Sequence, residues 1–409
     1  MWISEGFIQT RDGSKSPEEV AAEYYQKLIM RNLIEPTHSA QYECTMHDVV
    51  RSFAEFMARD ELVVLRGEKV LSSRYMGSGD ELEKQQEQKA TEDVFEKLCP
   101  PTCVEDIWIE GYFGRHLPHW MMIPATSAFK SLRYLSMKEL PCCTQLPDGL
   151  GQLPSLESLI IEDAPAIKSV GPEFQASSSS VAVGGGVACT PAAFPSLTNL
   201  KLEGLCEWEE WEWEEQGEDV TADAMMAMPA LNKLTIDNCK LGCLPPGLAS
   251  SKRHALRELN LYELSNLTCV ENFPSVVELD VFDCPDLKSI SGLSRLQRIR
   301  IIRCRNLEVL EDVSALDSLV LEDTDMETLP EYLRGVNPRH LKLLCGWELY
   351  ESLSPGSSEW DKISHIRTHA IDYVEDSSED DSDEDEDEDE ELEDADEDKD
   401  EDEDGVSEH

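Results

Sequence analysis

Basic residues are scarce in this 409-residue chain, and the scarcity restricts what it can bind. Lysine and arginine total 35 against 85 aspartates and glutamates, which gives a formal net charge of −50. Proteins hold nucleic acids mainly through lysine and arginine contacts to phosphate, so this balance disfavours a nucleic-acid partner. Hydrophobic residues nevertheless make up 40% of the chain, which is enough to build a sizeable core.

Several functional patterns are also absent. No apolar run reaches the roughly 18 residues that a membrane-spanning helix needs. The 13 cysteines include no C-x-x-C pair, which argues against a zinc site or a disulfide framework and favours a reducing compartment. No histidine, cysteine or carboxylate group has the spacing of a metal site or catalytic triad. We therefore predict a cytoplasmic protein that is not an enzyme and holds no metal.

The acidic excess is concentrated at the C-terminus. Residues 375–404 contain 24 acidic side chains and one lysine. A segment with so much like charge and so few apolar residues cannot bury enough surface to fold. We predict that residues 372–409 form a disordered acidic tail.

A leucine pattern recurs through most of the chain. The spacing L-x-x-L-x-L occurs in nine segments, which begin at Val104, Leu132, Leu156, Leu197, Leu231, Leu256, Val276, Leu296 and Leu316. A degenerate copy follows at Leu341 and Leu343, and most starts lie 20 to 28 residues apart, as in leucine-rich repeats. The pattern predicts an α/β fold, with an irregular leucine-rich-repeat solenoid over residues 98–371 whose parallel strands stack into a horseshoe. Cysteines that recur after the strands are expected to be small buried positions: Cys239, Cys284 and Cys304.

Two long spacings between repeats indicate insertions at about 171–193 and 206–228. The first contains the low-complexity stretch SSSSVAVGGG, and the second contains EWEEWEWEE. Trp208, Trp211 and Trp213 in the second stretch fit two interpretations. They form an aromatic hot spot for a partner, or one or two of the rings cover the flank of the solenoid.

Ahead of the repeats, residues 1–71 predict a small helical region. Ser16 and Pro17 are typical of a helix start, and this first helix is expected to stop near Pro36. A second helix is predicted after an N-cap at Thr45, followed by a short strand at 62–65. The polar segment 72–97 is interpreted as a linker.

His47 and Asp48 are adjacent near the start of this second predicted helix. Neighbouring side chains on a helix point in different directions, so the two do not form an acid–base pair. Asp48 fits a capping box with Thr45. His47 remains in the first turn, where free backbone N–H groups favour an anion. A partly buried imidazole that packs the helix start is the alternative.

Three stretches then suggest a family: WISEGFI at 2–8, YYQKLIMRNLIEP at 24–36 and CTMHDVVRSFAEF at 44–56. Together with the irregular repeats, they resemble the C-terminal part of plant nucleotide-binding leucine-rich-repeat immune receptors of the coiled-coil class. The resemblance implies a winged-helix remnant over 1–71 and a motif formed by Met46, His47 and Asp48. It also implies that His47 contacts the phosphate of ADP in full-length relatives.

The chain departs from that family because it begins inside the winged-helix region. It has no G-x-x-x-x-G-K-[ST] loop to hold nucleotide phosphates. We therefore expect an N-terminally truncated receptor that binds no ADP or ATP by itself, so that His47 has lost its ligand.

Function is then expected to reside in the repeats. Alignment places Tyr262, Phe282 and Ile302 in one outward column of the concave strand surface, where polar residues are usual. Arg298 and Arg300 lie beside this stripe and predict an anion-attracting surface. The implied partner is a protein: a pathogen effector, a guarded host protein or a full-length receptor. A neighbouring loop or domain that covers the stripe is the competing interpretation.

The acidic tail supports one alternative function. Leucine-rich repeats followed by a long acidic run are also similar to acidic leucine-rich nuclear phosphoproteins, which bind histones and other basic proteins. The nucleus would then replace the cytoplasm as the expected location. The predicted winged-helix region has no counterpart in that family.

Overall fold

The computed structural model describes residues 17–31, 33–36, 44–46, 62–66, 81–98, 100–122, 129–147, 150–170, 193–211, 227–245, 248 and 254–374. Helix α1 covers Pro17–Met30 and therefore begins at the predicted proline. It ends earlier than predicted, because Ile34–Pro36 form strand β1.

The predicted N-cap at Thr45 is wrong. Cys44–Met46 form strand β2, which pairs antiparallel with β1, and Thr45 lies opposite Glu35. A β-branched residue opposite a neighbouring extended segment favours a strand, so its local capping preference is overridden. His47 and Asp48 lie outside the described residues.

The predicted linker at 72–97 contains a helix, which corrects the sequence interpretation. Helix α2 covers Glu81–Lys97. Phe95 is buried and packs edge-on against Tyr112, with ring centroids 4.7 Å apart. Its carbonyl oxygen accepts a hydrogen bond of 3.0 Å from the Trp120 indole. Polar residues dominate α2 because only a narrow side of it meets the first repeats, and this composition was mistaken for a linker.

Among the described residues, twelve parallel strands form the main sheet. They are β3 Leu62–Arg66, β4 Asp106–Glu110, β5 Tyr134–Lys138, β6 Ser158–Glu162, β8 Asn199–Glu203, β10 Lys233–Cys239, β11 Glu258–Leu264, β13 Glu278–Phe282, β15 Arg298–Ile302, β17 Ser318–Asp323, β18 His340–Gly346 and β19 Thr368–Val374. The nine predicted repeat strands and the degenerate copy are confirmed. The boundary at 71 is wrong, because β3 pairs with the first repeat strand. The boundary at 371 is also wrong, because β19 continues to Val374.

Shorter elements complete the repeats. Outer strands pair in two small sheets: β7 Ser169–Val170 with β9 Glu210–Trp211, and β12 Cys269–Glu271 with β14 Ser289–Ser291 and β16 Val309–Leu310. The remaining helices are α3 His119–Met122, α4 Trp347–Ser352 and α5 Trp360–Ile363, with 3₁₀ turns at Leu150–Gln152 and Glu331–Arg334.

The core lies between the main sheet and these outer elements. Each repeat strand sends its two motif residues inward, and those of β11 and β13 are almost fully buried: Leu259, Leu261, Leu279 and Val281. The cysteines at the recurring position are buried as predicted. We call the opposite side of the sheet, where the residues between the inward ones lie, the strand face.

Left-handed backbone at the ends of the repeat strands from β4 to β15 connects neighbouring repeats. Asp283 has φ 49° and Arg303 has φ 52°. Their backbone N–H groups donate to Ile302 and Glu322 of the next strand at 2.9 Å each. This conformation is costly for a residue with a Cβ. Gly204 occupies the same position with φ 68°.

The second insertion begins later than predicted. Residues 206–211 belong to a repeat, since β9 pairs with β7. Trp208 is fully buried, and its indole donates to the Glu210 carbonyl oxygen at 2.8 Å. Trp208 and Trp211 therefore cover the solenoid flank, the second of the two interpretations. Trp213 and the acidic tail from 375 onward lie outside the described residues.

Candidate recognition surface on the strand face

The strand register places the three residues of the predicted apolar stripe side by side. Tyr262 lies opposite Phe282, and Phe282 lies opposite Ile302. All three side chains are half-buried. The Tyr262 and Phe282 rings meet edge to face, with centroids 6.4 Å apart. We call these three residues the aromatic patch.

Tyr262 lies beside a polar neighbour. Its hydroxyl is near the Asp280 carboxylate, which lies 3.5 Å from the Arg300 guanidinium. Burial and the negative charge of Asp280 raise the pKa of Tyr262. Burial also raises the pKa of Asp280, although Arg300 opposes this shift.

Phe282 is partly covered from the next repeat. The Arg303 guanidinium lies over its ring, 4.7 Å from the centroid, and also pairs with Asp283 at 2.9 Å. A cation over a ring at an exposed site contributes about 0.5 to 1 kcal/mol, so a partner can displace it at small cost.

The predicted arginine surface is present but internally paired. Arg298 pairs with Glu278 and Arg300 with Asp280. Arg305 lies 3.5 Å from Asp323 and also contacts Asp325. Each arginine therefore faces a carboxylate of the same protein. Exposed pairs of this kind are worth only about 0.2 to 1 kcal/mol, but together they largely cancel the field that the sequence suggested.

Two carboxylates on the strand face differ from the rest. Within strands β8 to β17, six acidic side chains lie within 4.0 Å of a lysine or arginine: Glu203, Glu258, Glu278, Asp280, Glu322 and Asp323. Asp237 and Glu263 have no cation at that distance among the described residues. Asp237 lies opposite Tyr262 in the register, and Glu263 follows Tyr262 in the chain.

The electrostatic environment of Asp237 is unfavourable for its charged form. Burial, followed by repulsion from Glu203 and Glu263, raises its pKa to about 6. Lys201 opposes this shift only in part. Uncompensated negative charge therefore lies directly beside the aromatic patch.

A second aromatic pair was missed by the sequence analysis. Trp108 and Tyr134 stack on the strand face with centroids 5.0 Å apart and an interplanar angle of 29°. Trp108 is 37% exposed. Its position between Ile107 and Ile109 in the first repeat is the signal that could have revealed it.

Other predicted sites gain no support from the described structure. Met46 lies in β2, whereas His47 lies outside the described residues, so the phosphate contact stays a prediction. No group of three or more histidines, cysteines and carboxylates could hold a metal ion within the described part of the chain. The helices described there include none that is long and apolar enough to cross a membrane.

Two protein-family models match the chain. The winged-helix domain of disease resistance proteins matches residues 1–54, and the R13L1/DRL21 leucine-rich repeats match residues 70–164. A winged-helix domain followed by a leucine-rich-repeat solenoid therefore defines the class of this protein. In this arrangement the chain is similar to the winged-helix and leucine-rich-repeat part of plant disease-resistance proteins.

Relatives of known description agree with this assignment. The chain is 30% identical over 256 residues to the Arabidopsis thaliana disease resistance RPP13-like protein 1, covering 55% of this chain and 23% of that protein. It is 25% identical over 215 residues to the disease resistance protein RPS4 of Arabidopsis thaliana, covering 50% of this chain and 14% of that protein. The chain thus spans less than a quarter of the length of either relative. Neither relative supports the alternative of a histone-binding nuclear protein.

Similarity to solved structures is weak. The leucine-rich repeat domain of the type III effector XopL matches with a TM-score of 0.43 and 16% identity, over 76% of this chain and 95% of that domain. The fold assignment rests on the strand register of the chain itself.

Proposed function

We propose that this protein acts in plant defence by binding another protein through the strand face of its leucine-rich repeats. The observation that carries the proposal is the aromatic patch. Three adjacent outward positions of a sheet hold Tyr262, Phe282 and Ile302, where solvent-facing repeats usually carry polar side chains. The relatives described as disease resistance proteins support the defence context.

The patch has the properties of a binding centre. Large aromatic side chains dominate the energy of protein interfaces, and fully burying one contributes about 1.5 to 3 kcal/mol. The Tyr262 ring packs edge to face against Phe282. Ion pairs such as that between Arg298 and Glu278 surround the patch, as polar groups surround the centre of many interfaces. The partner chemistry we favour is a protein surface: a pathogen effector, a host protein or a full-length receptor.

Crosslinking from the patch tests this proposal. In one variant of the full chain, a photoreactive phenylalanine analogue replaces Phe282. In a control variant, the analogue replaces Leu98, an exposed apolar residue outside the strand face. Both variants are expressed in infected leaves. We expect a crosslinked protein from position 282 that is absent from position 98. Purified, that protein should bind the wild-type chain directly, and Phe282→Glu should weaken both this binding and the restriction of pathogen growth. Identical crosslinks from both positions would contradict the proposal.

We further propose that the chain by itself holds neither ADP nor ATP. The proposal rests on the absence of a phosphate-binding loop from its sequence. Equilibrium dialysis of the purified chain against ADP provides the test. Micromolar binding that is lost on His47→Ala would contradict it.

A further inference from the structure

We infer that the partner of the strand face is basic: an arginine or lysine of the partner lies between Asp237 and Glu263, while an apolar side chain of the same segment covers Phe282. This inference rests on the proposed function, because it assigns the chemistry of the partner to the same aromatic patch. The charges around Tyr262 and the spacing of the strands support it.

The carboxylates around Tyr262 differ in whether a cation of the same protein is close to them. On one side lie Asp237 and Glu263, for which no lysine or arginine is within 4.0 Å among the described residues. On the other side lie Asp280 and Glu278, which are already paired with arginines. A partner cation that approaches the first side gains attraction without breaking an existing pair. An acidic partner would have to displace arginines from their carboxylates, so the surface favours positive charge.

Geometry defines how the two parts of the partner are arranged. Asp237, Tyr262 and Phe282 are successive partners in the strand register. Neighbouring strands lie about 4.8 Å apart, so the carboxylate and the phenyl ring are separated by about 10 Å. The cation and the apolar anchor of the partner should therefore be two to three residues apart in an extended segment, at about 3.3 Å per residue.

Tyr262 connects the two halves of this site. Its ring packs edge to face against Phe282, with the two centroids 6.4 Å apart. An arginine or lysine held between the two free carboxylates lies close to this ring and gains a cation–π contact, which is worth about 0.5 to 1 kcal/mol at an exposed site. The same ring continues the apolar surface toward Phe282.

The charged neighbours of Asp237 also support the inference. Glu203 and Lys201 face it from β8, and Glu263 faces it from β11. Burial contributes most to the raised pKa of Asp237, and repulsion from Glu203 and from Glu263 each contributes more than the opposing attraction of Lys201. A bound cation would reverse this balance, and binding would therefore be tighter where Asp237 is ionised.

Selection from a phage-displayed library of random peptides tests the inference at physiological salt. The full chain is used as wild type, as Phe282→Glu and as the double variant Asp237→Asn with Glu263→Gln. A matched control combines Asp286→Asn with Glu311→Gln, which removes two exposed carboxylates outside the strand face. Phe282→Glu keeps the acidic tail and adds negative charge, so peptides held only by general charge will still bind it. Circular dichroism confirms that each variant is folded.

The expected result is a set of peptides that require Phe282 and carry arginine or lysine two to three residues from a bulky apolar residue. Their affinity should fall about tenfold in the double variant, as expected for loss of a partly exposed charge pair, and stay within about twofold in the matched control. Peptides that require Phe282 but show no basic preference would overturn the inference and leave the proposed function intact. If no selected peptide requires Phe282, both are overturned.

Discussion

Replacement of Asp237 by asparagine should stabilise the protein at neutral pH. In the unfolded chain this carboxyl ionises at its ordinary pKa of 3.8, whereas in the folded protein burial and repulsion raise the pKa to about 6. Between these values the folded state binds more protons than the unfolded state. Folding stability therefore falls as the pH rises from about 4 to about 6, and the penalty persists at higher pH.

The size of this effect follows from the pKa difference. A difference from 3.8 to about 6 corresponds to about 3 kcal/mol for a fully enclosed group. Asp237 is only half-buried, and solvent screening reduces the expected gain in Asp237→Asn to about 1 kcal/mol. For a repeat domain of this size, that gain raises the melting temperature by about 2 to 4 °C.

Thermal unfolding followed by circular dichroism at several pH values tests the prediction. The series should stay above about pH 5, because the chain has an isoelectric point near 4.3 and is expected to precipitate there. The melting temperature of Asp237→Asn should exceed that of the wild type near pH 7.5 and approach it toward pH 5. Asp286→Asn, an exposed control outside the strand face, should show no such trend. A pH-independent difference, or a less stable variant near pH 7.5, would refute the reasoning.

Three further predictions concern the solenoid. Trp208→Ala should cost about 3 to 5 kcal/mol in denaturant unfolding because it empties a fully buried site, and a loss below about 1 kcal/mol would contradict this burial. Gly204→Ala should cost about 1 to 3 kcal/mol, because φ is 68° there and a Cβ would lie 2.8 Å from a carboxylate oxygen of Asp163. Gly242→Ala should be nearly neutral, because a Cβ there meets only ordinary contacts. Equal costs of the two substitutions would be inconsistent with this geometry. Exposed Cys243 should react with a maleimide near pH 7.5 in the folded protein. Cys239 should not react, because it is buried and burial raises its pKa to about 12. Peptide mass mapping that finds both cysteines modified would contradict the burial of Cys239.

The repeat architecture was predictable because its signal is periodic. Each L-x-x-L-x-L copy fixes which residues point inward, and the two inward positions determine the register of every neighbouring strand. The columns through Tyr262 and Phe282 were therefore obtained from the alignment alone and agree with the observed pairing. Elements that occur once gave no such redundancy. Helix α2 was interpreted as a linker for that reason. Strand β3 was predicted as a strand at 62–65 but grouped with the winged-helix region, because its pairing with the first repeat depends on contacts rather than on local composition.

The candidate site was predictable only in part. The aromatic patch follows from the column alignment, but charge compensation depends on which side chains meet across strands. Arg298 and Arg300 are therefore present as predicted, but each pairs with a carboxylate of the preceding strand β13: Arg298 with Glu278, and Arg300 with Asp280. Asp237 gave no signal in the sequence, because its isolation from lysine and arginine is a property of three-dimensional distance.

The most direct test of the central claim is the affinity of the protein crosslinked at position 282, measured by calorimetry with purified components. The few hot-spot residues at the centre of a protein interface contribute about 2 kcal/mol or more, so Phe282→Glu should weaken binding by about thirtyfold or more. Leu98→Glu, which adds the same charge outside the strand face, should bind as the wild type does. Equal affinity of the wild type and Phe282→Glu would contradict recognition through the aromatic patch.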